Sequence, residues 1–152
     1  MTDARIVAPT TTGHTCAVHH FLGNAAHPGP MNARRQRGQA AYAAGVAAEA
    51  TACAALIADG WVIHARRLRT QAGEVDAVAE KAGILAIIEV KARPTLAEAA
   101  VALTLRQQAR LVGACDLILG QHPEWGANGV RFDILVVNPD GQVRRIADAF
   151  RG

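Results

Sequence analysis

The chain has 152 residues, which points to one compact domain with room for a real core. Sixteen Lys and Arg against thirteen Asp and Glu give +3 and a pI near 9.1, a mild basic excess that suits a phosphate-bearing partner without requiring one. Cys16, Cys53 and Cys115 form no C-x-x-C pair and argue against a disulfide framework, and six aromatic residues leave the core to aliphatic and small side chains.

Residues 1–32 show no sustained periodicity and break at His27-Pro28-Gly29-Pro30, so a disordered tail is expected, with the domain proper at 33–152. His14, Cys16, His19, His20 and His27 are metal-capable types, but their spacing fits no closed zinc pattern, and Met31 offers an alternative start. Residues 33–59 read as one alanine-rich helix with a basic opening at Arg34, Arg35 and Arg37, stopped by Gly60. Its stretch 39–58 is long and nearly uncharged, yet Glu49 sits in the middle. A carboxylate at bilayer centre costs at least ~2.5 kcal/mol, and alanine offsets little of that. With no secretion signal either, a cytoplasmic protein with no membrane partner is expected.

A first strand follows at 61–69, with Trp61, Ile63 and Ala65 assigned to one face and Val62, His64 and Arg66 to the other. Turns at 71–73 and 81–83 bound a second strand at 74–80. The third strand, 84–91, is almost wholly apolar until its end, as expected of a strand buried on both faces. Thr95, with Glu98 three positions on, opens a single helix over 96–119, Cys53 and Cys115 being read as small apolar helix residues. A loop at 121–129, a fourth strand at 130–137, a turn at 138–141 and a short strand at 142–150 complete an α/β, αβββαβ order with a mixed sheet. Leu103, Leu111, Val112, Leu117 and Ile118 exceed what one sheet-facing stripe needs, which makes a homodimer contact an expectation.

Chemistry concentrates on the second and third strands. Residues two apart share a face, so Glu74 with Asp76, and Glu89 with Lys91, are expected to point together. If the two strands pair, up to three carboxylates and one ammonium gather among apolar residues. Such a cluster is costly, because like charges and desolvation both oppose ionisation. A hard divalent cation, Mg²⁺ or Mn²⁺, would offset the cost, with Asp76 and Glu89 as ligands, the Val90 carbonyl as a third, and Lys91 beside the reacting phosphate. The plainer alternative is a solvated strand edge with a Glu–Lys pair. Against it, the third strand is too apolar for a surface strand and carries its charges only at its end, where α/β sheets bind ligands.

The run Gly73-Glu74-Val75-Asp76, followed by Glu89-Val90-Lys91 with Glu89 thirteen positions after Asp76, resembles the split motif of the PD-(D/E)XK nuclease superfamily. More narrowly, the chain is similar to the YraN-like family of small bacterial proteins. Their helix motif Gly-x-x-Gly-Glu-x-x-Ala is matched by Gly45-Val46-Ala47-Ala48-Glu49-Ala50-Thr51-Ala52, with Ala48 for the second glycine. The likeness runs through Gly60-Trp61, Arg69, Arg131-Phe132-Asp133 and Ala149-Phe150. It implies a restriction endonuclease-like core, Asp76 and Glu89 as metal ligands, Lys91 as the catalytic lysine, and Glu49 as a further acid of the catalytic set. It also implies phosphodiester cleavage in nucleic acid, with structured DNA of repair or recombination as a candidate substrate.

Two positions depart from the family pattern. Arg67 stands where an Asn is usual near the end of the first strand, and Gln107 replaces a Lys in the run 104–108. Arg106 or Arg110 could restore that charge. Arg69, Arg93, Arg106, Gln107 and Arg110 are the expected nucleic-acid contacts. The competing expectation is a weak or inactive module of the same fold that binds nucleic acid or a protein partner. It is motivated by the modest charge, the few aromatics and Gln107.

Overall fold

A computed structural model of the chain describes residues 30–152. The expected tail and its His14, Cys16, His19, His20 and His27 therefore lie outside the described residues, apart from its last three positions, which are helical. The elements are α1 (Pro30–Ala58), β1 (Val62–Thr70), β2 (Gly73–Lys81), β3 (Ile84–Ala92), α2 (Leu96–Val101), α3 (Leu105–Gln121), β4 (Gly129–Val137) and β5 (Val143–Phe150). The strands form one sheet in the order β1-β2-β3-β4-β5. β3 and β4 run parallel while the other pairs are antiparallel, so the sheet is mixed as expected.

Each face of the sheet carries its own core. On one side α1 lays Ala48, Ala52, Cys53 and Leu56 against Ala77, Ala79, Ala86, Ile88, Leu135 and Val137. On the other, α3 lays Leu111, Ala114, Cys115 and Ile118 against Val78, Leu85, Ile87, Phe132, Ile134 and Val136. The α3 residues fall at i, i+3, i+4 and i+7, one apolar stripe. Strand β3 is buried on both faces from Leu85 to Glu89, which explains its unbroken apolar run. Cys53 and Cys115 are buried and unbonded, and burial raises both thiols, Cys115 to about 11. By length and composition α1 is apolar enough to cross a membrane, the one such helix among the described residues. Its C-terminal half, however, supplies one of the two cores.

Three local features differ from the sequence reading. The helix expected over 96–119 is two helices. Thr104 takes extended backbone (φ −70°, ψ 155°), its hydroxyl accepts from the Gln107 N–H, and the Gln107 side chain accepts from the Thr104 N–H. This reciprocal capping box starts α3 afresh, whereas Thr95 caps only the short α2.

The alternation assigned to β1 also fails, because the β1–β2 register shifts between Ile63 and Ala65. Trp61 and Ile63 pack on the α1 side and Ala65 on the α3 side, as a bulge requires. The displaced His64 bonds Glu80 (2.8 Å) and stacks on Trp125, whose other face takes His122 (ring centroids 4.1 and 3.8 Å). This stack fastens the segment after α3 to β1.

The third feature explains Arg131-Phe132-Asp133. The β4–β5 register shifts between Phe132 and Ile134, and Asp148 takes a positive φ of 51°. The buried Asp133 carboxylate accepts the Asp148 N–H and the Arg131 Nε–H, both at 3.0 Å. Arg131 in turn lies over the Trp61 ring at 4.9 Å. Asp133 thus holds the bulge of β5, a structural role. Asp133→Ala leaves a half-buried cation and an N–H without their acceptor, so it should lower unfolding free energy by about 2 kcal/mol in urea titration, with Asp133→Asn recovering part. A loss under ~1 kcal/mol would contradict this assignment.

Candidate active site

The β2–β3 ladder is regular from Lys81–Ile84 to Ala77–Ile88 and ends there. Next along, the Val90 N–H donates to Asp76 Oδ2 at 2.7 Å, so a side chain serves β3 where the ladder has stopped. The facing of β2 changes at the same point. Val75 packs on the α3 side and Ala77 on the α1 side, although strict alternation would put them together. Opposite this point on β1, Arg67 has a positive φ of 48°. Asn is among the residues that adopt this conformation most readily, which gives physical sense to the expectation of an Asn there.

Glu74 and Asp76 take different partners. Glu74 leaves for Arg67 (3.3 Å) and Arg69 (3.1 Å). The Arg69 hydrogen bond, opposed by burial, holds the Glu74 carboxyl below its ordinary range. The expected convergence of Glu89 and Lys91 is present, with Lys91 Nζ 3.0 Å from Glu89 Oε1 and both side chains nearly buried. Glu89 Oε2 meets Arg110 Nη2 of α3 at 2.6 Å. Glu49 reaches the same region from α1, 3.5 Å from Arg67 Nε.

Electrostatics confirms that these groups sense one another. Burial first, then the Glu89 charge, pushes the Asp76 carboxyl up to about 6. The Val90 N–H and Arg110 restrain it, while Glu49 adds to the rise. Glu49 is itself raised, mainly by burial and also by Glu74 and Glu89, against the pull of Arg67. Four carboxylates (Glu49, Glu74, Asp76, Glu89) thus face four cations (Arg67, Arg69, Lys91, Arg110) where β2 and β3 part. Helix α1 lies on one side of this set and α3 on the other.

The expected nucleic-acid contacts fare differently. Arg110 alone reaches the buried Glu89. Arg69 is largely exposed and tied to Glu74, Arg93 is exposed and donates to the adjacent Ala92 carbonyl, and Arg106 is exposed. Gln107 uses its side-chain carbonyl to cap α3. The sequence reading missed Arg67 as a member of the site. It links Glu49 and Glu74, and it also donates to the Tyr42 hydroxyl at 2.9 Å. Its departure from the expected Asn was the available signal. A second missed feature is Gly73, φ +132°. A Cβ there would lie 2.6 Å from Arg110 Cδ and 2.7 Å from Cγ, so the missing side chain makes the channel through which Arg110 passes. Among the described residues, no three His, Cys, Asp or Glu are arranged to grip an ion together. A groove of about 630 Å³ lies at the other end of β3, lined by Ile84, Cys115, Phe132 and Phe150 among others.

Fold and site together define a class: a single-sheet α/β domain with a desolvated acid–lysine–arginine centre at the carboxyl end of its inner strand β3. The chain belongs to the uncharacterised protein family UPF0102, whose sequence profile matches residues 48–137. It is similar to a UPF0102 protein of Granulibacter bethesdensis, 60% identical over 115 residues, 76% of this chain and 73% of that protein. A UPF0102 protein of Azorhizobium caulinodans is 46% identical over 123 residues (81% and 94%), and one of Rhodopseudomonas palustris strain BisB18 is 44% identical over 127 (84% and 93%). The matched span contains Glu49, Arg67, Gly73, Asp76, Glu89, Lys91 and Arg110.

The raised Asp76 carboxyl has a measurable consequence. Its folded value of about 6 lies above the ordinary 3.8, so the folded state holds the proton more tightly. That contribution to stability is complete below pH ~4 and is lost as pH rises through ~6. Asp76→Asn, which keeps an oxygen for the Val90 N–H, should therefore unfold at higher urea than the parent at pH 7.5, by about 1–3 kcal/mol. The advantage should vanish near pH 4. A variant less stable at pH 7.5 would contradict this charge assignment.

Proposed function

We propose that this centre is a metal-dependent phosphodiesterase site acting on nucleic acid, with structured DNA of repair or recombination the first substrate to test. The observation that carries the reading is the elevation of Asp76 and Glu49, each in part by the Glu89 charge, beside the nearly buried Lys91 ammonium. Carboxylates that raise one another's pKa are groups for which a divalent cation is the natural counter-charge. Hard carboxylate oxygens fit Mg²⁺ or Mn²⁺ by donor chemistry. Asp76 and Glu89 would hold it, with the Val90 carbonyl as a further oxygen. The ion would polarise a phosphoryl oxygen and acidify a water. Lys91, fixed by Glu89, would face the negative charge that develops on the phosphoryl oxygens. Glu49 would stand by as a further acid, and Arg67 would keep it oriented. The resemblance to PD-(D/E)XK nucleases supports the same assignment.

A second reading is a module of the same fold without turnover. It is favoured by one specific observation: both Glu89 oxygens already face cations, Lys91 and Arg110.

Incubating the full chain with branched, single-stranded and duplex DNA, and with RNA, in Mg²⁺ or Mn²⁺ separates the two. The expected outcome is cleavage of at least one substrate, reduced about 100-fold or more by Asp76→Ala, Glu89→Ala and Lys91→Ala, the scale on which such groups act. Cleavage indifferent to Asp76→Ala, or none at all, would overturn the enzymatic reading.

A further inference from the structure

Resting on the reading that Asp76 and Glu89 hold a divalent cation, we propose that Arg110 gates that cation. Its guanidinium occupies Glu89 until a phosphate group draws it away, so that cation and phosphate bind together rather than independently.

Three observations lead there. First, Arg110 Nη2 sits 2.6 Å from Glu89 Oε2 while Lys91 Nζ sits 3.0 Å from Oε1. A cation approaching Glu89 therefore meets like charge on both oxygens. Second, the arrangement is built. Arg110 crosses the start of β2 only because Gly73 has no side chain to obstruct its Cγ and Cδ. Third, Arg110 Nε is buried and has no hydrogen-bond partner among the described residues. A guanidinium with a buried, unsatisfied N–H is poorly satisfied by the single carboxylate oxygen it touches.

The two cations on Glu89 are not equivalent. Lys91 is on the same strand, two residues from Glu89, with a side chain only 11% exposed. Arg110 comes from α3 and is 29% exposed, so it can turn outward without breaking the sheet. A phosphate offers several oxygens to the planar fork and can engage two of its N–H groups at once, including the one now unpaired. Transfer of Arg110 from Glu89 to phosphate frees Oε2 for the metal and replaces one charged contact with two. Thermodynamic linkage then makes the effect mutual: phosphate strengthens cation binding by the factor with which cation strengthens phosphate binding.

Calorimetric Mn²⁺ titration of the full chain tests this, with thymidine 3′,5′-bisphosphate as the phosphate probe. The parent should bind Mn²⁺ weakly alone and about tenfold or more tightly with the bisphosphate. Arg110→Gln should bind Mn²⁺ alone about tenfold more tightly than the parent and gain little from the bisphosphate. Gly73→Ala, which obstructs Arg110 while leaving it in the chain and also strains the backbone at φ +132°, should shift Mn²⁺ affinity in the same direction, with circular dichroism reporting that the fold is kept. If the parent binds Mn²⁺ and Arg110→Gln binds no more tightly, the gate is overturned while the metal reading stands. If neither binds Mn²⁺ with or without the bisphosphate, the metal reading itself falls, and the gate with it.

Discussion

Where β2 and β3 part, the Val90 N–H donates to the Asp76 carboxylate. This one hydrogen bond satisfies a backbone donor of the inner strand β3 and fixes the most perturbed carboxyl of the site in place. Around it the strands open, Glu89 and Lys91 project toward α3, and Glu49 approaches from α1. Remove the acceptor and a half-buried N–H is left without its partner. Neutralise its charge while keeping the oxygen, and the geometry can survive while the electrostatic strain is relieved. Position and charge are separable properties of Asp76.

The site lies between two hydrophobic cores rather than inside either. Ala77 and Ile88, the last ladder pair, belong to the α1-side core, and Val75, just beyond them, to the α3-side core. The acids are therefore desolvated by well-packed apolar residues on both sides without being sealed off. Four cations answer four carboxylates, which lets so much charge persist at the edge of a small aliphatic core. The balance depends on distant parts of the chain. Arg67 and Arg69 come from β1 and Arg110 from α3, so the centre is complete only when the whole sheet and its flanking helices have formed.

Much of the fold was legible because period and punctuation agree in this sequence. The apolar run of β3, the turns at 71–73 and 81–83, and the alanine-rich α1 each carry an unambiguous local signal. The Asp76, Glu89 and Lys91 set was legible for the same reason: it lies on two strands joined by a tight turn. What escaped was set by events at single residues. Thr104 and Gln107 reset a helix that composition alone would continue. A bulge at His64 and a left-handed residue at Arg67 each undo the two-residue alternation on which facing was assigned. Arg110 could be suspected of phosphate contact, but its engagement with Glu89 joins residues 21 positions apart across an element boundary. No local period reports such a contact.

Gly73 and Arg110 are 37 positions apart in the sequence, yet they occupy one volume. Any side chain at 73 would collide with the shaft of the arginine. The two positions are linked in one direction: a larger residue at 73 makes a long side chain at 110 a liability, whereas a short residue at 110 still leaves the φ of +132° that favours glycine at 73. Across UPF0102 chains, a side chain at 73 should therefore be found only where residue 110 is short.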